Sequence, residues 1–205
     1  MIAGDKGFAS LAFQTFLPSG RPDRIVADNA AAMMTPEELF ARFDALGIAH
    51  RTYSHPPVFT VAEATALRGS LPGVHCKSLF FKDKKGGFWL AVMLEERRID
   101  LKKLAARLAA PRFSFGGADD LHRLLGVRPG SVTPFALLND VRHLVTPVLD
   151  AAMLQCDPLN YHPLVNDRTT AISAADLLRL IEASGHVPRI VDLADLRPAP
   201  DIPES

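Results

Sequence analysis

Three segments carry residue types that together could hold a charged ligand and polarise a carbonyl. In the first, Leu71 to Phe81, Lys77 opens an otherwise apolar run. On an edge strand such a lysine lays its stem along the sheet and its ammonium in water. At the mouth of a cleft the same ammonium would bind a phosphate or carboxylate. In the second, Gly126 to Phe135, the stretch Gly130-Ser131-Val132-Thr133-Pro134 separates two apolar segments. It is either a plain surface turn or a loop that aims successive backbone N–H groups into a pocket. There they would stabilise the oxyanion formed as water attacks an ester. In the third, Leu159 to Thr170, His162 and Asn166 flank Pro163. An X-Pro step favours extended backbone, so the segment is a strand with a turn or the polar rim of a small pocket.

Other machinery is excluded by pattern. No G-x-S-x-G elbow, phosphate-cradling G-x-x-x-x-G-K-[ST] loop or H-E-x-x-H helix occurs. The histidines at 50, 55, 75, 122, 143, 162 and 186 never share the spacing of a ligand pair, so no metal is expected. Cys76 and Cys156 stand apart and outside any C-x-x-C pair, which argues for a reducing compartment. No apolar run approaches the ~20 residues of a membrane span. The apolar patch Phe8 to Phe16 is broken by Ser10, Gln14 and Thr15 and lacks the flanks of a secretory signal. A cytoplasmic location without membrane contact is the expectation. Lys plus Arg and Asp plus Glu are both 23, so the net charge is zero and any RNA contact must be local.

The elements that must position these segments are well punctuated. Thr35-Pro36-Glu37-Glu38 is a capping box with proline at the first helical position, and Gly47 closes that helix. A strand from Ala49 to Tyr53 leads to His55-Pro56-Pro57, and Thr60-Val61-Ala62-Glu63 opens a helix to Leu67. Cys76 to Lys82 and Phe88 to Leu94 read as a hairpin around Asp83 to Gly87. Asp100 caps a helix to Leu108, Phe113 to Phe115 is a strand, and Asp119 to Leu125 is a helix before Gly126. Strands are expected over 143–149, 161–165, 169–172 and 190–193, with a helix from Ser173 to Ser184 stopped by Gly185. Hairpins outnumber long crossovers, which predicts an α/β fold of α+β type: a curved, mixed, mostly antiparallel sheet with helices around it. Residues 34–197 form one domain in this reading, with 198–205 as a tail. Residues 1–33 are an extension, or lie before a true start at Met33 or Met34.

Taken in order, the segments resemble the YbaK/ProX family of prolyl-tRNA editing domains, and most closely the free-standing Ala-tRNA(Pro) deacylases. The resemblance rests on His55-Pro56-Pro57-Val58-Phe59-Thr60, Lys77 to Asp83, Pro129 to Leu137, and His162-Pro163-Leu164 through Thr170. It departs at Ser78, where many relatives carry asparagine, and at Cys76, where close relatives carry threonine. It implies cofactor-free hydrolysis of the ester between an amino acid and the terminal adenosine, with a ribose hydroxyl of the tRNA assisting the water. Lys77 would engage the terminal nucleotide or its phosphate. Gly130 through Pro134 would shape the pocket and contact the ester carbonyl, and His162 would limit pocket size. Ser78, Ser131, Val132, Thr133, Pro134, Asn166 and Phe59 would line the substrate site. The implied partners are tRNA(Pro) charged with alanine and prolyl-tRNA synthetase.

Such an editor answers a physical need. A proline pocket rejects the smaller alanine by only ~1–3 kcal/mol, so a second pocket must remove the error. Between Lys77 and Arg112 ten basic residues face four acidic ones. Lys82, Lys102 and Lys103 are the expected guides for an acceptor stem, against the plainer reading of a solvated face. Deacylation of Cys-tRNA(Pro) or a Ser-tRNA, and a non-catalytic nucleotide-binding module, are the alternatives.

Overall fold

Caps set where the helices begin. The computed structural model describes residues 33–56 and 71–198. Phe59 and the helix expected from Thr60 lie outside the described residues. Thr35 accepts from the Glu38 amide while the Glu38 carboxylate accepts from the Thr35 amide, and α1 runs Pro36–Ala45. Asp100 accepts from the Lys102 and Lys103 amides to start α2, Leu101–Arg107. Helix α3, Ala118–Leu125, ends on Gly126 at φ 69°, a conformation glycine adopts without a Cβ clash. Ser173 caps α4, Ala174–Ala183, by accepting from the Asp176 amide.

Among the described residues, eight strands make one sheet. They are β1 (His50–Ser54), β2 (Val74–Asp83), β3 (Phe88–Leu94), β4 (Phe113–Phe115), β5 (Val145–Asp150), β6 (Leu159–Tyr161), β7 (Arg168–Ile172) and β8 (Arg189–Val191). Their order is β1-β7-β6-β2-β3-β5-β8, with β4 also paired to β2. Four pairings are antiparallel and three parallel, so the sheet is mixed and mostly antiparallel, as the sequence pattern implies. The expected strand over 161–165 stops at Tyr161, because Leu164 turns into the left-handed region at φ 67°. The strand expected from His143 begins at Val145, after His143 itself takes φ 52°. Pro134–Asn139 and Met153–Gln155 form short 3-10 helices that the pattern did not announce.

Strand β2 is the pivot. One of its edges is taken by β3 along seven residues, from Cys76 to Lys82. The other edge takes β6 in parallel at Val74 and His75, then β4 from Phe81 to Asp83. Between those two contacts, at Cys76 to Leu79, no described strand pairs with that edge. Side chains alternate across the strand. Val74, Cys76 and Phe80 face the larger core, with Phe43, Phe135 and Tyr161. Leu79 and Phe81 face a smaller one, with Ala91, Met93 and Leu104. Burying each such large side chain contributes roughly 1.5–3 kcal/mol. Both faces of β2 are therefore held firmly, and the interrupted edge is where a site can open.

Candidate functional site

The registers place the polar residues of the interrupted edge on one face. Val74 pairs with Leu159 and His75 with Asn160. The next step holds too, since the Cys76 thiol and Tyr161 hydroxyl are hydrogen-bonded on the larger-core face. Lys77, the residue after Cys76, alternates to the opposite face, and His162 follows Tyr161 just beyond the end of β6. To this row strand β7 adds Thr169, which lies next to Thr170, the residue paired with Tyr161 at the end of β6. Strand β1 completes it, Tyr53 lying opposite Thr169 and His55 lying two residues on.

Two histidines meet there. The His55 Nε2 lies 3.0 Å from the Thr169 hydroxyl and its Nδ1 2.9 Å from the Pro56 carbonyl. A carbonyl only accepts, so Nδ1 carries the proton and Nε2 accepts from Thr169. Its backbone N–H also donates to the Asp167 carbonyl, at 2.9 Å. The His162 Nδ1 donates to the Arg168 carbonyl at 3.0 Å, across the turn between β6 and β7. That leaves Nε2 of His162 as a lone pair with no partner among the described residues. The ring centroids of His55 and His162 are 6.4 Å apart. Burial pushes the His162 pKa down, against the pull of the Arg168 carbonyl, and His55 lowers it further. His162 is accordingly a neutral imidazole at pH 7 with one nitrogen ready to accept.

The turn that carries His162 is tight. The Leu164 N–H donates to the His162 carbonyl at 3.0 Å around Pro163, and Leu164 is left-handed. For a bulky residue that conformation is costly, on the order of 1–3 kcal/mol, and survives only where packing imposes it. Leu164 is buried against the larger core, which supplies that packing. Asn166 sits half-buried in the same turn.

Lys77 is half-buried opposite Met93 of β3. Desolvation pushes its pKa down, partly offset by the Glu95 and Glu96 carboxylates beyond β3. Ser78 points the other way. Its hydroxyl is buried on the larger-core side without a hydrogen-bond partner. Cys76 is an unreactive thiol there, its pKa raised to about 12 by burial.

The glycine-to-proline loop also belongs to the larger-core side. Gly130 is left-handed at φ 92°, in a turn closed by the Ser131 N–H on the Arg128 carbonyl at 3.0 Å. Val132 packs on the larger core. Ser131 is buried, Thr133 wholly so, and the Thr133 hydroxyl caps the 3-10 helix beginning at Pro134. Phe135 then stacks edge-on against Tyr161, centroids 5.4 Å apart. One side chain thus ties the loop to the residue before His162, while the loop itself lies behind the sheet from Lys77. Of the expected guides, Lys82 pairs with Asp120 at 3.0 Å. The Lys103 ammonium donates to the Arg197 carbonyl at 2.9 Å, and Lys102 is exposed on α2.

Asn160 escaped the sequence reading as a site residue. Buried to 1% exposure, it donates to the Pro72 carbonyl at 2.9 Å and the Val74 carbonyl at 3.2 Å, and its Oδ1 has no partner. It pins β6 to the entry of β2. Gly73 permits that approach, since a Cβ there would sit 2.2 Å from the Pro158 carbonyl oxygen. An asparagine between apolar residues just before the histidine was the available signal.

Residues 55–180 match the family described as the aminoacyl-tRNA editing domain. A prolyl-tRNA synthetase associated domain-containing protein 1 from Danio rerio is 36% identical over 172 residues, covering 81% of this chain and 94% of its own. The prolyl-tRNA editing protein ProX of Acetoanaerobium sticklandii is 30% identical over 162 residues, covering 78% and 99%. In fold, the chain resembles a crystal structure put forward as that of a trans-editing enzyme for prolyl tRNA synthetase. That match has TM-score 0.60 and 21% identity, covering 77% of this chain and 95% of that one. No helix among the described residues is long and apolar enough to cross a membrane. With the family's domain spanning β1's exit through α4, this chain belongs to the aminoacyl-tRNA editing domain family, of YbaK/ProX type.

Proposed function

We propose that the chain is a trans-editing deacylase that removes alanine from mischarged tRNA(Pro). The observation that carries this reading is a neutral imidazole, His162, set beside His55 with one nitrogen unspent, on the sheet face to which the half-buried Lys77 also alternates. An aminoacyl ester is already activated, so the work left is positioning and charge stabilisation. Lys77 holds the terminal nucleotide through its phosphate. The His162 ring, fixed by its Arg168 bond and the left-handed Leu164, walls a pocket that admits a methyl side chain and excludes the proline ring. The water attacks with help from the substrate's own ribose hydroxyl. The Gly130 to Pro134 loop, behind the sheet, braces the β6 end of this face through the Phe135–Tyr161 contact instead of touching the ester carbonyl. The names of the relatives, a prolyl-tRNA editing protein and synthetase-associated domains, support tRNA(Pro) as the substrate and the synthetase as a docking partner. The reducing chemistry of both free thiols suits the cytoplasm.

The test is release of labelled alanine from Ala-tRNA(Pro), with Cys-tRNA(Pro), Ser-tRNA and Pro-tRNA(Pro) beside it. Loss of alanine alone, suppressed in Lys77→Ala, is the expected result. Preferential release of cysteine or serine would reassign the substrate. Intact esters throughout would leave a binding module.

A further inference from the structure

The row of residues that ends at His55 and His162 continues beyond them. Along β1 the side chains on the His55 face are Tyr53 and Arg51, opposite Thr169 and Ala171 of β7. They border an open groove of about 450 Å³ that also touches Pro72, Asp157 and Pro158. The Arg51 guanidinium carbon lies 5.1 Å from the centre of the Tyr53 ring. Arg51 is exposed and Tyr53 half-buried, so a flat cationic plate backed by an aromatic ring faces the groove. Strand residues are spaced ~3.3 Å apart, which puts Tyr53 roughly 7 Å and Arg51 roughly 13 Å from His55.

We propose that this groove is a subsite for the unpaired nucleotides preceding the terminal adenosine, whose bases stack on the Arg51–Tyr53 plate. The proposal rests on the editing reading for the identity of the RNA. Its chemistry is that of single-strand recognition: stacking on an aromatic or guanidinium plane, a proline-lined apolar wall, and a cation near the backbone. Asp157 and Asp176 also line the groove, Asp176 being paired with Arg179 at 2.7 Å, and their carboxylates suit exocyclic amines better than phosphates. The terminal nucleotide reaches Lys77 and His162 while its neighbours run back along β1, so the sheet face reads the chain direction of the RNA.

Binding of uncharged tRNA(Pro) tests this without depending on catalysis. Affinity is measured for the wild type, Arg51→Ala and Tyr53→Phe, against intact tRNA and tRNA lacking the two bases before the terminal adenosine. Removing the bases weakens wild-type binding about tenfold, the size of one stacking contact. Arg51→Ala weakens intact tRNA by a similar factor and gains little further loss from the missing bases, the signature of coupled partners. Tyr53→Phe, which keeps the ring, binds like wild type. Equal weakening of both RNAs by Arg51→Ala would mean a phosphate contact or general damage, and no weakening an idle groove; either overturns the subsite. Hydrolysis is scored separately: intact coupling without ester cleavage would retain the groove and sink the deacylase.

Discussion

His162, after β6, and His186, before β8, show how a histidine with bonding capacity to spare differs from one whose capacity is spent. His186 is 5% exposed, with both nitrogens taken. Its Nδ1 meets the Ser184 hydroxyl at 2.9 Å and its Nε2 the Asp140 carboxylate at 3.2 Å, and the His143 ring packs edge-on at 4.8 Å. Asp140 also accepts from the Val145 N–H at 2.7 Å, so the cluster fixes the start of β5. A Ser-His-Asp row is present, yet nothing is left over to react. His162 is less buried, spends one nitrogen on a carbonyl and keeps the other. Spare capacity, rather than the company of acids and hydroxyls, is what makes His162 the candidate and His186 a structural residue.

The contrast breaks first at Asp140. Replacing it by alanine strands a buried histidine and the Val145 N–H, and is expected to cost roughly 3–5 kcal/mol in urea unfolding. Hydrolysis per folded molecule should stay unchanged; a selective loss of activity at full stability would erase the distinction. Lys77→Ala should do the reverse, reducing kcat/KM about 100-fold with the urea midpoint nearly unmoved. His162→Ala is milder. It should raise cleavage of Pro-tRNA(Pro) relative to Ala-tRNA(Pro) about tenfold, worth ~1.4 kcal/mol of discrimination, as read by parallel deacylation assays.

Two pH effects sharpen the pair further. Burial lowers the His162 pKa below 6.5, so its neutral form persists into mild acid. The acid limb of kcat/KM should fall below pH 6.5, and a limb above that value would count against a neutral imidazole. For Asp140, burial works to raise the pKa, but the His186 contact and the Leu144 and Val145 amides outweigh it and hold it below 3.8. A depressed carboxylate pKa gives stability that is present above the unfolded value and lost as pH falls through the folded one. Urea midpoints should therefore drop below about pH 4 in wild type, and less in Asp140→Asn.

Local grammar was legible in the sequence and long-range pairing was not. Thr35, Asp100 and Ser173 cap helices because their side chains reach amides two or three residues away, a relation written in adjacent letters. The Asp83 turn was equally plain, the carboxylate accepting from Lys85, Gly87 and the Trp89 indole. The 3-10 helix at Pro134 was missed although Thr133-Pro134 repeats the Thr35-Pro36 signal. The strand end at Tyr161 was misjudged because a leucine in a left-handed turn is imposed by packing, which no single-residue preference announces. Of the site, Lys77 and His162 were singled out by type, but their shared face depends on β6 lying beside β2, a pairing of segments 86 residues apart at Asn160 and Val74. The basic run between Lys77 and Arg112 looked freer than it is. Lys82, Arg97 and Arg107 are matched by Asp120, Asp150 and Asp195, two of them far downstream.

Strand β2 joins the two halves of the sheet, and this has a consequence for the nascent chain on the ribosome. The β2–β3 hairpin can close as soon as Leu94 emerges, since its strands are separated by a short turn. Strand β1 must wait for a partner 118 residues later, where Thr52 meets Thr170. Contacts of such separation form slowly, so Lys77 is synthesised and folded into a hairpin long before His55, Thr169 and His162 can meet. A growing or truncated chain that ends before β7 can hold the β2–β3 hairpin and still lack the face on which His55, Thr169 and His162 meet.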